Sequence, residues 1–221
     1  LNREIAAEII GMTGAEIEVS NDPYFRTSEL LCCLTDTPRT NLNYYYPKIS
    51  RPYRYVRFTP PPPAYPPADC RAEIAELAFF DSVDSEEHLP SKAIYGGGPV
   101  DENPAHDIDK ACDDDWLTFY YSSGPRDSIV FDLKRARAIK KILFVPRNDD
   151  NFITPGNVYE LFYQSGVKGW ISLGVQTATT NELIYRNIPE GALLWLRNLT
   201  RGKEEQVFYV ENDRQRFVGY E

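Results

Sequence analysis

Residues 144–164 read FVPRNDDNFITPGNVYELFYQ: an apolar run, a cluster of charged and polar residues, a Pro-Gly turn, then a run that alternates. Alternation over seven or eight residues between turn signals is the pattern of a β-strand with one covered face. The rest of the chain reads the same way outward from this stretch. Before it stand AEIEVS (15–20), ELLCCLT (29–35), YRYVRFT (53–59), AEIAELAFF (72–80), SIVFDL (128–133) and AIKKILFVP (138–146). NVYELFYQ (157–164), GWISLG (169–174), NELIYRNI (181–188), ALLWLRNL (192–199) and EQVFYVEN (205–212) continue the series. Most of the connections are too short to hold a crossover helix. The pattern therefore predicts an all-β, antiparallel sandwich or jelly roll rather than a parallel sheet. Arg147, Asn148, Asp149, Asp150 and Asn151 then lie side by side between two strands, either as a ligand-binding loop or as a solvated connection.

Composition agrees with this class. The 221 residues hold 15 Tyr, 11 Phe and 3 Trp against one Met, with 17 Pro and 13 Gly, the balance of a turn-rich β protein. A formal charge of −9 repels phosphate backbones and anionic headgroups, so nucleic acid and membrane surfaces are disfavoured partners. No apolar run approaches the length of a membrane span, which argues against membrane insertion. The four cysteines, Cys32, Cys33, Cys70 and Cys112, fit neither a zinc ribbon nor a CxxC pair and read as free thiols with at most one bridge.

The opening LNREIAAEII is compatible with a short helix, and PPPPAYPPADC (60–70) is a rigid exposed loop, because proline cannot donate to a ladder. Composition turns polar and acidic from Asp81 and rich in Gly and Pro at 95–104, which places a domain boundary at 83/84. An internal echo points the same way. AEIEVSNDPYF resembles YELFYQSGVKGW, YRYVRF resembles LLWLRN, and AEIAELAFFD takes the place of EQVFYVEND. The expectation is a partial β unit over 1–83 and a whole one over 84–221, with linked domains upstream in a longer repeat array.

Catalytic signals are absent. His88 and His106 both stand in polar, linker-like sequence, and there is no GxSxG, HExxH or GxxxxGK[ST] motif. Carboxylates are numerous, but nothing singles out an acid and a nucleophile, so the chain reads as a non-enzyme. The loop AHDIDKACDDDWLTFY (105–120) is more specific. Asp113, Asp114, Asp115 and the Thr118 hydroxyl offer hard oxygen donors of the kind calcium takes, or equally a turn whose carboxylates are solvated or cap a neighbouring element.

ACDDDWLTFY, SIVFDLKRARAIKKILFVPRNDDN and ITPGNVYELFYQSGVKGWISLG, with IEVSND, YRYVRF and AEIAELAFF earlier, together resemble the discoidin or coagulation-factor type C domains, also met as family 32 carbohydrate-binding modules. PRNDDN, PGNVYELFY and LWLRNLTRGKEEQVF are similar to a version common in Bacteroidetes. The resemblance covers 105–217 well and the first 82 residues more weakly. It implies a galactose-binding-like jelly-roll β-sandwich at 84–221, preceded by a partial or diverged β-sandwich unit. It implies glycan bound by loops at one end, often beside a structural calcium, in an exported module that is periplasmic, cell-surface or secreted. Asp113, Asp115 and Thr118 match the family's metal loop, with Asp114 where a glycine is usual. A last-strand glutamate corresponds to Glu204 or Glu205 in the second part, and to Glu76 in the first, where no acidic partner loop is expected.

Sugar recognition pairs an aromatic face with forked polar donors and acceptors. Arg147, Asn148, Asp149, Asp150 and Asn151 supply the polar half, and Phe152, Trp116 and Tyr121 the aromatic one. Trp170 and Trp195, inside apolar strand patterns, read as core residues. A structural or protein-interaction module, a spacer or docking surface on the same fold, is the competing reading. The two readings separate at Arg147: exposed beside an aromatic face, or buried and paired with Asp149 or Asp150.

Overall fold

The computed structural model describes residues 9, 11–62, 70–99, 103–204, 207–212 and 214–218. The expected N-terminal helix and most of the proline loop lie outside them. All paired strands are antiparallel, and the described residues divide into two compact units, one ending at Asp150 and the other starting at Asn151.

The first unit holds β1 (Glu16–Ser20), β2 (Glu29–Cys33), β3 (Asn43–Tyr45), β4 (Tyr53–Thr59), β5 (Glu73–Phe80), β6 (Lys92–Tyr95), β7 (Tyr120–Tyr121), β8 (Ile129–Arg137) and β9 (Lys141–Pro146). They form a five-stranded sheet in the order β2-β1-β4-β8-β6 and a four-stranded sheet in the order β3-β9-β5-β7. Alternation sends Ile17, Val19, Val56, Phe58 and Phe131 from the first sheet and Ile74, Leu77, Phe79, Ile142 and Phe144 from the second into one buried cluster. Phe58 stacks on Phe144 at 5.6 Å between ring centroids, and Phe79 meets Phe131 edge-on at 5.6 Å. The two sheets therefore pack face to face as a β-sandwich. Full burial of each such ring stabilises the fold by roughly 1.5–3 kcal/mol.

This arrangement corrects the boundary expected at 83/84. β4 pairs with β8 and β5 with β9, so strands on either side of that point complete each other. The polar Gly- and Pro-rich stretch is a connection within the sandwich, and residues before 83 are not a free-standing partial unit. A strand with one apolar face buries it wherever a partner face is available, and linker composition does not specify which. β5 is buried along its whole length, because Ala75, Ala78 and Phe80 on its other face pack with Leu143, Val145, Leu42, Trp116 and Phe119. Of the three successive tyrosines, Tyr45 packs on the core while Tyr44 and Tyr46 are exposed. Cys32, Cys33 and Cys112 are free thiols, and Cys70 is buried.

The second unit is one sheet. β10 (Val158–Gln164), β11 (Trp170–Thr177), β12 (Leu194–Asn198), β13 (Lys203–Glu204), β14 (Phe208–Glu211) and β15 (Arg214–Phe217) run in the order β11-β10-β12-β14-β15, with β13 beside β12. Its buried centre is Leu161, Leu194 and Phe208, flanked by Tyr163, Leu173, Tyr185 and Leu196. NELIYRNI is not a strand: Asn187 takes a positive φ of 58° and Pro189 follows, so the run cannot extend, and Ile184 is exposed. Trp170 and Trp195 are not core residues either. Trp195 stands between Leu194 and Leu196, so the two-residue period that buries its neighbours turns it to the opposite face, against Phe162 and Trp170.

Candidate functional site

β9 ends at Pro146, but the chain stays tied to β5, since the Arg147 amide donates to the Glu73 carbonyl at 3.0 Å. The Arg147 side chain then turns inward. Its Nη1 lies 3.2 Å from Glu73 Oε2, Nε is 2.9 Å from Asp149 Oδ1, and Nη2 is 3.3 Å from Asp149 Oδ2. The guanidinium lies 4.6 Å from the centre of the Phe119 ring and 6.0 Å from that of Tyr121. Glu73 is almost wholly buried, its side chain 6% exposed against 19% for Arg147, and a carboxylate in that position needs a paired cation.

Asn148, 2% exposed, ties two loops together. Its Nδ2 donates to the Trp116 carbonyl at 2.9 Å and to that of Pro146 at 3.3 Å, and its Oδ1 accepts from the Asp150 amide at 2.8 Å. Asp149 and Asp150 take φ values of 46° and 62°, a left-handed pair that Asp, Asn and Gly tolerate best. Each of the first four polar residues of this run thus has a local physical reason. Arg147 neutralises Glu73, Asn148 links the loops, and the two aspartates make the turn.

The acidic loop meets this end of the sandwich. Two 3-10 turns, Pro104–His106 and Ile108–Ala111, are capped by the side chains of Asn103 and Asp107. His106 stacks on Phe119 with centroids 4.4 Å apart, so His106 and Arg147 both lie against that ring. Arg71 lies 5.9 Å from the Tyr121 ring centre. Of the residues expected to bind ligand, Arg147, Asn148, Asp149, Asp150, Trp116 and Tyr121 come together here, with Trp116 packed on the outer cluster of β5 and β9. Asn151 and Phe152 begin the other compact unit. Glu73, Phe119 and His106 were missed, although acidic residues inside a wholly apolar strand pattern such as AEIAELAFF are a readable signal of a buried partner.

Asp114 has a φ of 62°, the backbone for which glycine is usual. Its amide donates to Glu76 Oε2 at 3.0 Å, so Glu76 does meet an acidic loop, contrary to expectation. Burial, with Asp113 and Asp114 nearby, pushes the Glu76 carboxyl up to about 8. Glu205 lies outside the described residues.

The loop's acidic side chains are engaged by partners at this end of the sandwich. The Asp113 carboxylate accepts from the Thr118 hydroxyl at 2.9 and 3.0 Å and from the Asp115 amide at 3.1 Å, while Asp115 Oδ1 accepts from the Leu117 amide at 3.0 Å. Lys110 Nζ, 3.3 Å from Asp113 Oδ2 and 3.6 Å from Asp109 Oδ2, already supplies a cation, and His88 Nε2 stands 3.1 Å from Asp114. Among the described residues no three His, Cys, Asp or Glu side chains gather around a common point where a metal would bind.

Comparison with family models, curated proteins and solved structures finds no match to this chain, so the arrangement of its own residues carries the functional reading.

Proposed function

We propose that the protein is a non-catalytic carbohydrate-binding module, with a galactose-binding-like jelly roll in the sandwich that ends at Asp150 and glycan held at the loop end formed by 103–121 and 147–150. The observation that carries this reading is a guanidinium fixed by two carboxylates against an aromatic ring: Arg147 with Glu73, Asp149 and Phe119. Such a group is preorganised, so little side-chain entropy is lost when it meets a ligand hydroxyl. His106 and Tyr121 add rings of the kind that pack on the C–H face of a sugar.

A second reading, a docking or spacer module, is favoured by the feature that separates the two: Arg147 is mostly buried and paired with Asp149. The Arg147 guanidinium donates to Glu73 and Asp149, and Asn148 bonds to backbone groups, so the loop is organised from within. Calorimetric titration of the chain with galactose, N-acetylgalactosamine, glucose and fucose separates the two. The carbohydrate reading expects saturable heat with at least one sugar, lost in Phe119→Ala and reduced about tenfold or more in Arg147→Lys, which keeps the charge but not the fork. No heat with any of the four at tens of millimolar, from protein whose circular dichroism is native, rules that reading out and leaves docking.

A further inference from the structure

The second unit places two of the chain's three tryptophans side by side on the face opposite its buried centre. Trp195 on β12 lies 5.5 Å from Phe162 on β10 and 5.5 Å from Trp170 on β11, measured between ring centroids. Arg197 lies over Trp195, its guanidinium carbon 5.2 Å from the ring centre. Trp170 is 36% exposed and Val175, on the same strand, 55%. The cluster crosses three adjacent strands, because Phe162 is the cross-strand partner of Trp195 and Gln164 that of Trp170.

We propose that this face, at Trp170, Trp195 and Phe162, is a binding platform for neutral saccharide chains, separate from the loop cluster around Arg147. Three features choose the occupant. Glu160 and Arg197 are direct cross-strand partners, so the patch carries opposite charges side by side and offers no net attraction to a charged ligand. Ring faces bordered by Gln164, Ser172, Glu160 and Arg197 match a ligand that is apolar on its C–H faces and hydroxylated at its edges.

Area is the third feature. Three aromatic side chains bury roughly 150–250 Å² each when fully covered, and with Trp170 36% exposed and Phe162 and Trp195 less so, these rings keep at most about 250 Å². A stable protein interface takes about 800 Å² per side, so the patch suits a small or linear ligand rather than a protein partner. Gln164 adds a polar handle: its side-chain oxygen is shielded and has no hydrogen-bond partner among the described residues. Turning this amide outward gives a ligand hydroxyl an acceptor and removes a cost of about 1–3 kcal/mol.

Tryptophan fluorescence of the full chain, titrated with cellohexaose, mannohexaose and β-1,4-galactohexaose, tests the platform. The expected result is a saturable emission change with at least one oligosaccharide. Trp170→Ala and Trp195→Ala weaken it about tenfold or more, and Trp170→Phe, which keeps a ring, retains most of it. The same titration in a Phe119→Ala background, where the loop end no longer contributes, keeps a saturable change that depends on Trp170, so loss of the loop reading and loss of the platform are seen separately. In that background, no saturable change with any of the three, or a change that survives Trp170→Ala, overturns the proposal. A concentration-dependent dimer in sedimentation that Trp170→Ala abolishes overturns it in favour of a second copy.

Discussion

The two units share one three-strand plan and differ in what covers it. In the first, β1 pairs with β2 and then with β4; in the second, β10 pairs with β11 and then with β12, both antiparallel and both with a bulge in the first pairing. The echo between YRYVRF and LLWLRN is therefore an echo of strand position. In the first unit, β8 extends the sheet and a second sheet faces it, so Phe58 and Phe144 meet in a dry stack. In the second, the buried cluster among the described residues is only Leu161, Leu194 and Phe208, with Tyr159 also buried on β10, and Phe162, Trp170 and Trp195 collect on the other face. The same strand pattern thus yields a sandwich core or a two-sided sheet, depending on whether a partner face is present.

The largest effect that sharpens this contrast comes from equal truncations in the two units. Phe144→Ala, which empties one side of the stack, is expected to cost about 3–5 kcal/mol in urea denaturation, whereas Leu161→Ala costs about 2 kcal/mol, because a thin sheet collapses around a lost side chain more readily. Equal losses would mean that the second unit is packed as tightly as the first.

Next in size is the buried ion pair of the sandwich. Arg147→Met leaves Glu73 uncompensated and is expected to cost about 3 kcal/mol or more, while Arg147→Met with Glu73→Gln recovers most of that loss. If the single and double variants melt alike, Arg147 acts through its ring contacts alone.

Glu76 gives the sandwich a pH dependence. Its folded carboxyl keeps its proton up to about 8, while the unfolded one releases it near its ordinary value of 4.5. The folded state binds more protons across that window, so stability falls as pH rises from about 4.5 to about 8. Glu76→Gln removes this slope and gains on the order of 3 kcal/mol over the native chain above pH 8, read from thermal melts at several pH values. A flat native profile would place the proton elsewhere.

The smallest effect concerns the bulges. In β11 the left-handed position is Gly174, with a φ of 112°; in β8 it is Lys134, with a φ of 65°. Lys134→Gly should raise the melting temperature slightly. Relief of about 1–2 kcal/mol of left-handed strain outweighs the roughly 0.5–1 kcal/mol entropic cost of glycine.

Much of this was legible locally. β4 and β10 fall almost where YRYVRFT and NVYELFYQ place them, since a period of two needs only neighbouring residues to be seen. NELIYRNI misled because its apolar content outweighed the Asn187 and Pro189 that end it. In PRNDDN the polar cluster was visible, but not that Arg147 turns toward Glu73, a residue 74 positions away in the chain.

Alternation, turn residues and composition by themselves determined an all-β chain of short antiparallel strands, because those signals act between neighbours. Tertiary structure alone decided that 84–150 completes the strands before it, that Glu76 meets the acidic loop, and that the tryptophans at 170 and 195 face away from the core. An apolar face specifies that it must be covered but not by what, and that choice is made by contacts between residues far apart in sequence.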